Sequence, residues 1–217
     1  MAMNKHSLRD IKREATADAL AEAAYELTME RGLDGFTVED IVQRAGYARR
    51  TFANYFSCKE EAVAKSAAVF KHKEEAEQLI ANLPDSATPL DLLSHLLRMK
   101  LVTIFLIKMR DLMRLSKRYP TIEPYLLSVL HQHQLIFQEL LSQMFGSDYP
   151  ARYLQQLAGA VYGAALPLLD GSVQLPHSAE DEKTETVEEH AADSMTLEHY
   201  WDDLFEHLRN GFSVHRT

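Results

Sequence analysis

The sequence predicts an all-α protein, and three observations carry that prediction. Apolar residues recur at three- and four-residue intervals along most of the 217 residues. Strand-like alternation is absent. The 8 Gly and 7 Pro fall at wide intervals, as helix punctuation does. About nine helices follow, in a small N-terminal module and a larger C-terminal helical bundle.

The first helix runs from about Leu8 to Arg31, with Ala17, Leu20, Ala24 and Leu27 on one face and Gly32 as its stop. Two short helices follow, near Val38–Ala45 and Arg49–Phe56. Another starts near Ser57–Glu60 and fades ahead of Leu83-Pro84-Asp85. An apolar helix then spans about Pro89 to Lys108, and a short piece covers Asp111–Ser116. Tyr119-Pro120 separates these from a long helix, about Ile122 to Phe145, where Pro124 suits a first-turn position. Gly146 and Pro150 bound the next helix, Ala151 to about Leu169. An acidic loop at about 171–194 leads to a last amphipathic helix near Thr196–Asn210, which Gly211 ends.

Net charge is −9, but it is unevenly placed. Seven acids (Glu180, Asp181, Glu182, Glu185, Glu188, Glu189, Asp193) and one base, Lys183, lie between His177 and Asp193. The rest of the chain is nearly balanced, so local clustering decides the partner. The single cysteine, Cys58, excludes an internal disulfide framework and a multi-Cys zinc site. A strongly polar N-terminus has no signal-peptide core, and Asp91, His95, Arg98, Lys100 and Lys108 break the longest apolar stretch. A cytoplasmic protein with no membrane partner is expected. No nucleophile elbow, Walker loop, dinucleotide fingerprint or HExxH pair occurs, so neither an enzyme nor a cofactor is expected. His131 and His133 point to different helix faces, and His199 and His207 stand eight apart, so no metal site is expected either.

The segment Phe36 to Phe56 carries the chemistry. Thr37 suits an N-cap answered by Asp40, and Val38, Ile41, Val42 and Ala45 form one buried stripe. Gly46 supplies the left-handed residue that turns the chain, and Phe52 and Phe56 face inward from the next helix. Two short helices joined by a Gly-containing turn make a helix-turn-helix. Its outward set is Arg49, Arg50, Thr51, Asn54 and Tyr55. Guanidinium forks suit guanine edges, an amide suits adenine, and hydroxyls suit phosphates. Arg44 ends the preceding helix, and Lys59 stands near the next helix start, where a phosphate can also meet backbone N–H groups. Residues 1–56 are accordingly read as a DNA-binding domain and 57–217 as the bundle.

On these residues the sequence resembles the TetR family of one-component transcriptional regulators. The family pattern matches at Thr37, Val38, Ile41, Ala45, Gly46, Thr51, Phe52, Tyr55, Phe56, Lys59 and Glu60, within roughly residues 10–65. The resemblance implies phosphate contacts at Thr37, Thr51, Tyr55 and Lys59, with Arg49 and Arg50 as base readers. Three positions depart from it. Ala48 replaces the usual capping Ser, Ala53 replaces a frequent Tyr, and Arg50 stands where Gly or Pro is common.

A lone helix-turn-helix makes few contacts, so two half-sites and a dimer are expected. Gly159, Ala160, Gly163 and Ala164 allow close helix approach, and Trp201, Leu204, Phe205 and Leu208 share a stripe on the last helix. The resemblance makes these two helices a homodimer interface; an intramolecular core is the alternative. The middle helices offer a chamber for a mostly apolar small-molecule effector, with Met99, Phe105, Met109, Met113 and Phe137 as adaptable walls. Thr103, His133 and Tyr162 supply polar groups there; a packed core is the plainer reading. The leading expectation is a repressor that releases a palindromic double-stranded DNA operator on binding effector. A helical adaptor and an enzyme with an incidental N-terminal module are the alternatives.

Overall fold

The computed structural model describes residues 8–68, 78–84, 86–173 and 196–211. Regular structure among the described residues is entirely helical, as expected. The α-helices are α1 (Leu8–Arg31), α2 (Val38–Ala45), α3 (Arg49–Ala53), α4 (Lys59–Lys65), α5 (Pro89–Leu97), α6 (Lys100–Ser116), α7 (Glu123–Phe145), α8 (Ala151–Asp170) and α9 (Leu197–Arg209). Short 3₁₀ turns occupy Leu33–Gly35, Ser66–Ala68 and Pro120–Ile122. Most of the expected acidic loop, from residue 174 to 194, lies outside the described residues.

The chain forms two compact units. One comprises Met1–Val69 with Asp111–His133, the other Phe70–Arg110 with Gln134–Thr217. In the first unit, Leu20, Ala21, Ala24 and Leu27 give α1 a fully buried stripe, and α1 packs on α2 and α4. The facing residues of α4, Ala62, Val63 and Ala64, are small enough for close approach and completely buried. Each buried Leu stabilises the unit by about 1.5–3 kcal/mol. Gly32 ends α1 at φ 71, donating its N–H to the Thr28 carbonyl at 2.9 Å. A Cβ there would sit 2.9 Å from the Tyr119 hydroxyl, so both backbone and space require glycine. Ile122, Leu126, Val129 and Leu130 complete this core, and α4 packs against the Pro120–Ile122 turn.

In the second unit, Thr88 caps α5 through a reciprocal box with Asp91, and Pro89 occupies the first turn. The Thr88 hydroxyl holds the Asp91 carboxyl below the usual carboxylate range. Leu92, Leu93, Leu96 and Leu97 are buried, and α9 lies against α5. Two ion pairs reach α9 from this segment, Arg98 just past the end of α5 to Asp202 at 2.6 Å and Asp91 of α5 to Arg209 at 3.1 Å. The Tyr200 hydroxyl donates to the Ala164 carbonyl of α8 at 2.6 Å.

Two boundaries differ from the sequence expectation. The helix expected over Pro89–Lys108 breaks at Arg98–Met99, and α6 then runs unbroken through Lys108–Asp111. Leu106, Met109 and Leu112 are buried at three-residue steps across the expected gap, which keeps the helix whole. The third helix stops at Ala53 rather than Phe56, because Asn54 and Tyr55 donate three residues back in a tight turn, at 3.1 and 2.9 Å.

Candidate nucleic-acid interface

Thr37 begins the site. Its hydroxyl accepts from the Asp40 N–H at 3.4 Å, while the Asp40 carboxylate accepts from the Thr37 N–H and hydroxyl, both at 2.8 Å. These two donors hold Asp40 below its usual range. The box fixes the first turn of α2, and burial of Ile41 and Val42 fixes which face turns outward. Gly46 then closes α2 at φ 75, ψ 30, with Tyr47 donating to the Val42 carbonyl at 2.8 Å. Space around Gly46 is open, so its backbone angle alone demands glycine.

Ala48 enters α3 in the extended geometry of an N-cap but makes no side-chain cap bond. Phe52 and Phe56 are buried with ring centroids 5.5 Å apart, and that anchoring sets the rotation of α3. Arg49, Arg50, Ala53 and Asn54 are exposed on its outer side, while Thr51 and Tyr55 are half-buried. Arg49, Arg50 and Asn54 of the expected outward set are thus exposed on α3 and the turn that follows it, while Thr51 and Tyr55 are partly covered.

The cations divide into two kinds. Arg44 is a clamp: its two Nη atoms donate to the Glu30 carboxylate at 2.6 and 2.7 Å, with Glu26 at 3.7 Å. That fork joins α2 to the last turn of α1, holds the Glu30 carboxyl low and pushes the Arg44 guanidinium up. Lys59 is a second clamp. Its Nζ donates to the carbonyls of Leu33 and Phe36 at 2.7 and 3.0 Å and sits 5.0 Å from the centre of the Phe36 ring. Two of its three donors are thus held by the chain, whereas the resemblance assigns Lys59 to a phosphate. Arg49, by contrast, is 74% exposed and pairs with the carboxylate of Glu39 in the first turn of α2. Arg50 makes no ion pair among the described residues.

Sequence reasoning passed over Glu39, which is ten residues from Arg49 and comes near it only through the turn at Gly46. It also passed over Tyr125. Cys58 caps α4 by accepting from the Glu61 N–H at 3.4 Å, and its thiol donates to the Tyr125 hydroxyl at 3.3 Å. The Cys58 contact raises the Tyr125 pKa.

The other predicted residues divide between the units. Met113 and His133 belong to the first; Met99, Thr103, Phe105, Met109, Phe137 and Tyr162 belong to the second. Met109 and His133 are buried, and the other six are half-buried. Burial raises the Tyr162 pKa. On α8, Gly163 is exposed and Gly159 half-buried, and a Cβ on either would meet nothing within 4 Å. On the last helix, Trp201, Leu204 and Phe205 are buried within the second unit, and Leu208 is half-buried. Among the described residues, no helix is long and apolar enough to cross a membrane. No cluster of three or more His, Cys, Asp or Glu suited to a metal ion occurs among them either.

Residues 20–69 match the model of a family described as bacterial regulatory proteins, tetR family. Among solved structures, a transcriptional regulator from Rhodococcus sp. Rha1 is similar at 19% identity and a TM-score of 0.45. The alignment covers 90% of this chain and 96% of that one. No curated protein matches the chain.

Proposed function

We propose, from a chain whose residues 20–69 are those of a tetR-family bacterial regulatory protein, that it acts as a homodimeric repressor on a palindromic DNA operator. Each half-site is read by α3 in the major groove. Arg50 and Asn54 face base edges, Arg49 joins them on release from Glu39, and Thr37, Thr51 and Tyr55 meet the flanking backbone. The observation that carries this reading is the outward placement of Arg50 and Asn54 once Phe52 and Phe56 are buried. A short helix with its aromatic side in a core and, on its outer side, a guanidinium that makes no ion pair among the described residues is suited to groove recognition.

Pairing of two chains is supported by α8. Arg152, Tyr153, Gln156, Ala160, Gly163 and Leu166 are exposed along one side of that helix, with the small residues at its middle. A small, mostly apolar effector would act through differential affinity, favouring a state in which the two reading heads no longer match half-site spacing.

Selection from a randomised duplex pool tests the reading. Wild-type protein should enrich a two-fold symmetric sequence, and Arg50→Ala should relax preference at one base pair per half-site, by about 1–3 kcal/mol. Failure of the wild type to enrich any sequence refutes it.

A further inference from the structure

Among the described residues, Glu39 is the carboxylate that pairs with a cation of α3, and that pairing has a use. It lies in the first turn of α2, 56% exposed, and takes the guanidinium of Arg49 across the turn. The neighbouring pair differs in kind: Arg44 is held bidentately by Glu30, is 27% exposed, and braces α1 against α2. Nothing comparable fixes Arg49. A solvated pair between two exposed side chains opens at little cost, so Arg49 can leave Glu39 when a better partner arrives.

What counts as a better partner is the point. A lone phosphate offers Arg49 about what Glu39 already offers, one anionic oxygen pair. A guanine edge in the groove also offers two acceptors, and there the released Glu39 gains a partner of its own by accepting from a cytosine amino group. We propose that Glu39 is a positioning residue for DNA recognition, holding Arg49 away from phosphates so that this cation contributes to sequence-selective binding and little to sequence-blind binding. The inference rests on the DNA-binding reading given above. Arg50, one residue on and without a carboxylate partner among the described residues, supplies the ungated charge.

The experiment measures affinity for a mixed-sequence duplex of about three turns, from about 50 to about 200 mM salt. Four proteins are compared: wild type, Glu39→Gln, Arg49→Ala and the double variant. Freeing Arg49 to meet a phosphate should steepen the salt slope of Glu39→Gln by about 0.9, which across that range is about a 3.5-fold greater loss of affinity than wild type shows. In the Arg49→Ala background the same Glu39→Gln change should leave the slope unmoved. A purely structural role for Glu39 would alter thermal stability and not the slope. An unchanged slope in Glu39→Gln overturns the inference, and so does an equal increment in both backgrounds, which would mean that Glu39 acts only by its own repulsion. If wild type shows no salt-dependent binding at all, the DNA-binding reading falls, and this inference with it.

Discussion

The Nζ of Lys59 donates to the Leu33 carbonyl at 2.7 Å, tying the first turn of α4 to the 3₁₀ turn that follows α1. The Phe36 carbonyl accepts from the same ammonium at 3.0 Å, and the Phe36 ring lies beneath it. Three parts of the helix-turn-helix module thus converge on one charge. Lys59→Ala should lower unfolding free energy by about 1–3 kcal/mol, since two partly buried carbonyls lose a charged donor. Urea titration measures this. A variant of wild-type stability that had lost only affinity for DNA would return Lys59 to the phosphate role.

The entrance of α3 is built for a cap that the sequence does not supply. Ala48 has φ −93 and ψ 155, the extended geometry of an N-cap, and no side-chain acceptor. Ala48→Ser should raise stability by about 0.5–2 kcal/mol. Thermal unfolding reads the change; no gain would mean that the orphan N–H groups are already satisfied by water.

His133 gives the first unit a pH dependence. Burial lowers its pKa from 6.5, with the Lys65 ammonium adding to the effect and the hydrogen bond to the Val129 carbonyl, 2.8 Å from Nδ1, opposing it. The sign follows from linkage. Below pH 6.5 the unfolded chain takes up the proton first, so the contribution is present above 6.5 and is lost as pH falls through the depressed folded value. Urea midpoints of wild type should therefore fall more between about pH 7 and pH 5 than those of His133→Gln. Equal slopes would sink the prediction.

Gly163 tests pairing of chains without disturbing the fold. It is exposed on α8, and an added Cβ meets nothing within 4 Å. Gly163→Leu should leave the emission of the buried Trp201 unchanged while weakening self-association, by about 1–3 kcal/mol if it overfills a tight helix contact as it would a core. Sedimentation at several concentrations decides; an unaltered dimer places the interface elsewhere.

Much of the module was legible because its signals are local. Thr37 with Asp40, Gly46 after Ala45, and Phe52 four before Phe56 each act within one turn of chain, and each appears as the spacing requires. The break at Arg98–Met99 was not legible, having neither Gly nor Pro to mark it. Charge partners were the larger omission. Glu30 with Arg44 and Glu39 with Arg49 are separated by 14 and 10 residues, and only the packed fold brings them together. What covers the last helix was left open for a related reason. An apolar stripe such as Trp201, Leu204 and Phe205 states that a face is covered and is silent on whether the cover belongs to the same chain.

The first compact unit is assembled from two separated stretches of chain, and this governs how the N-terminal helices can be handled as an object. A peptide ending at residue 56 would lack the buried faces of α4 and the Ile122, Leu126 and Val129 side chains that belong with them. It would expose Leu20 and Leu27 to water. Transplanting α1–α4 onto another protein therefore requires the graft to carry 111–133 as well, because the first unit is completed only by that later stretch of chain.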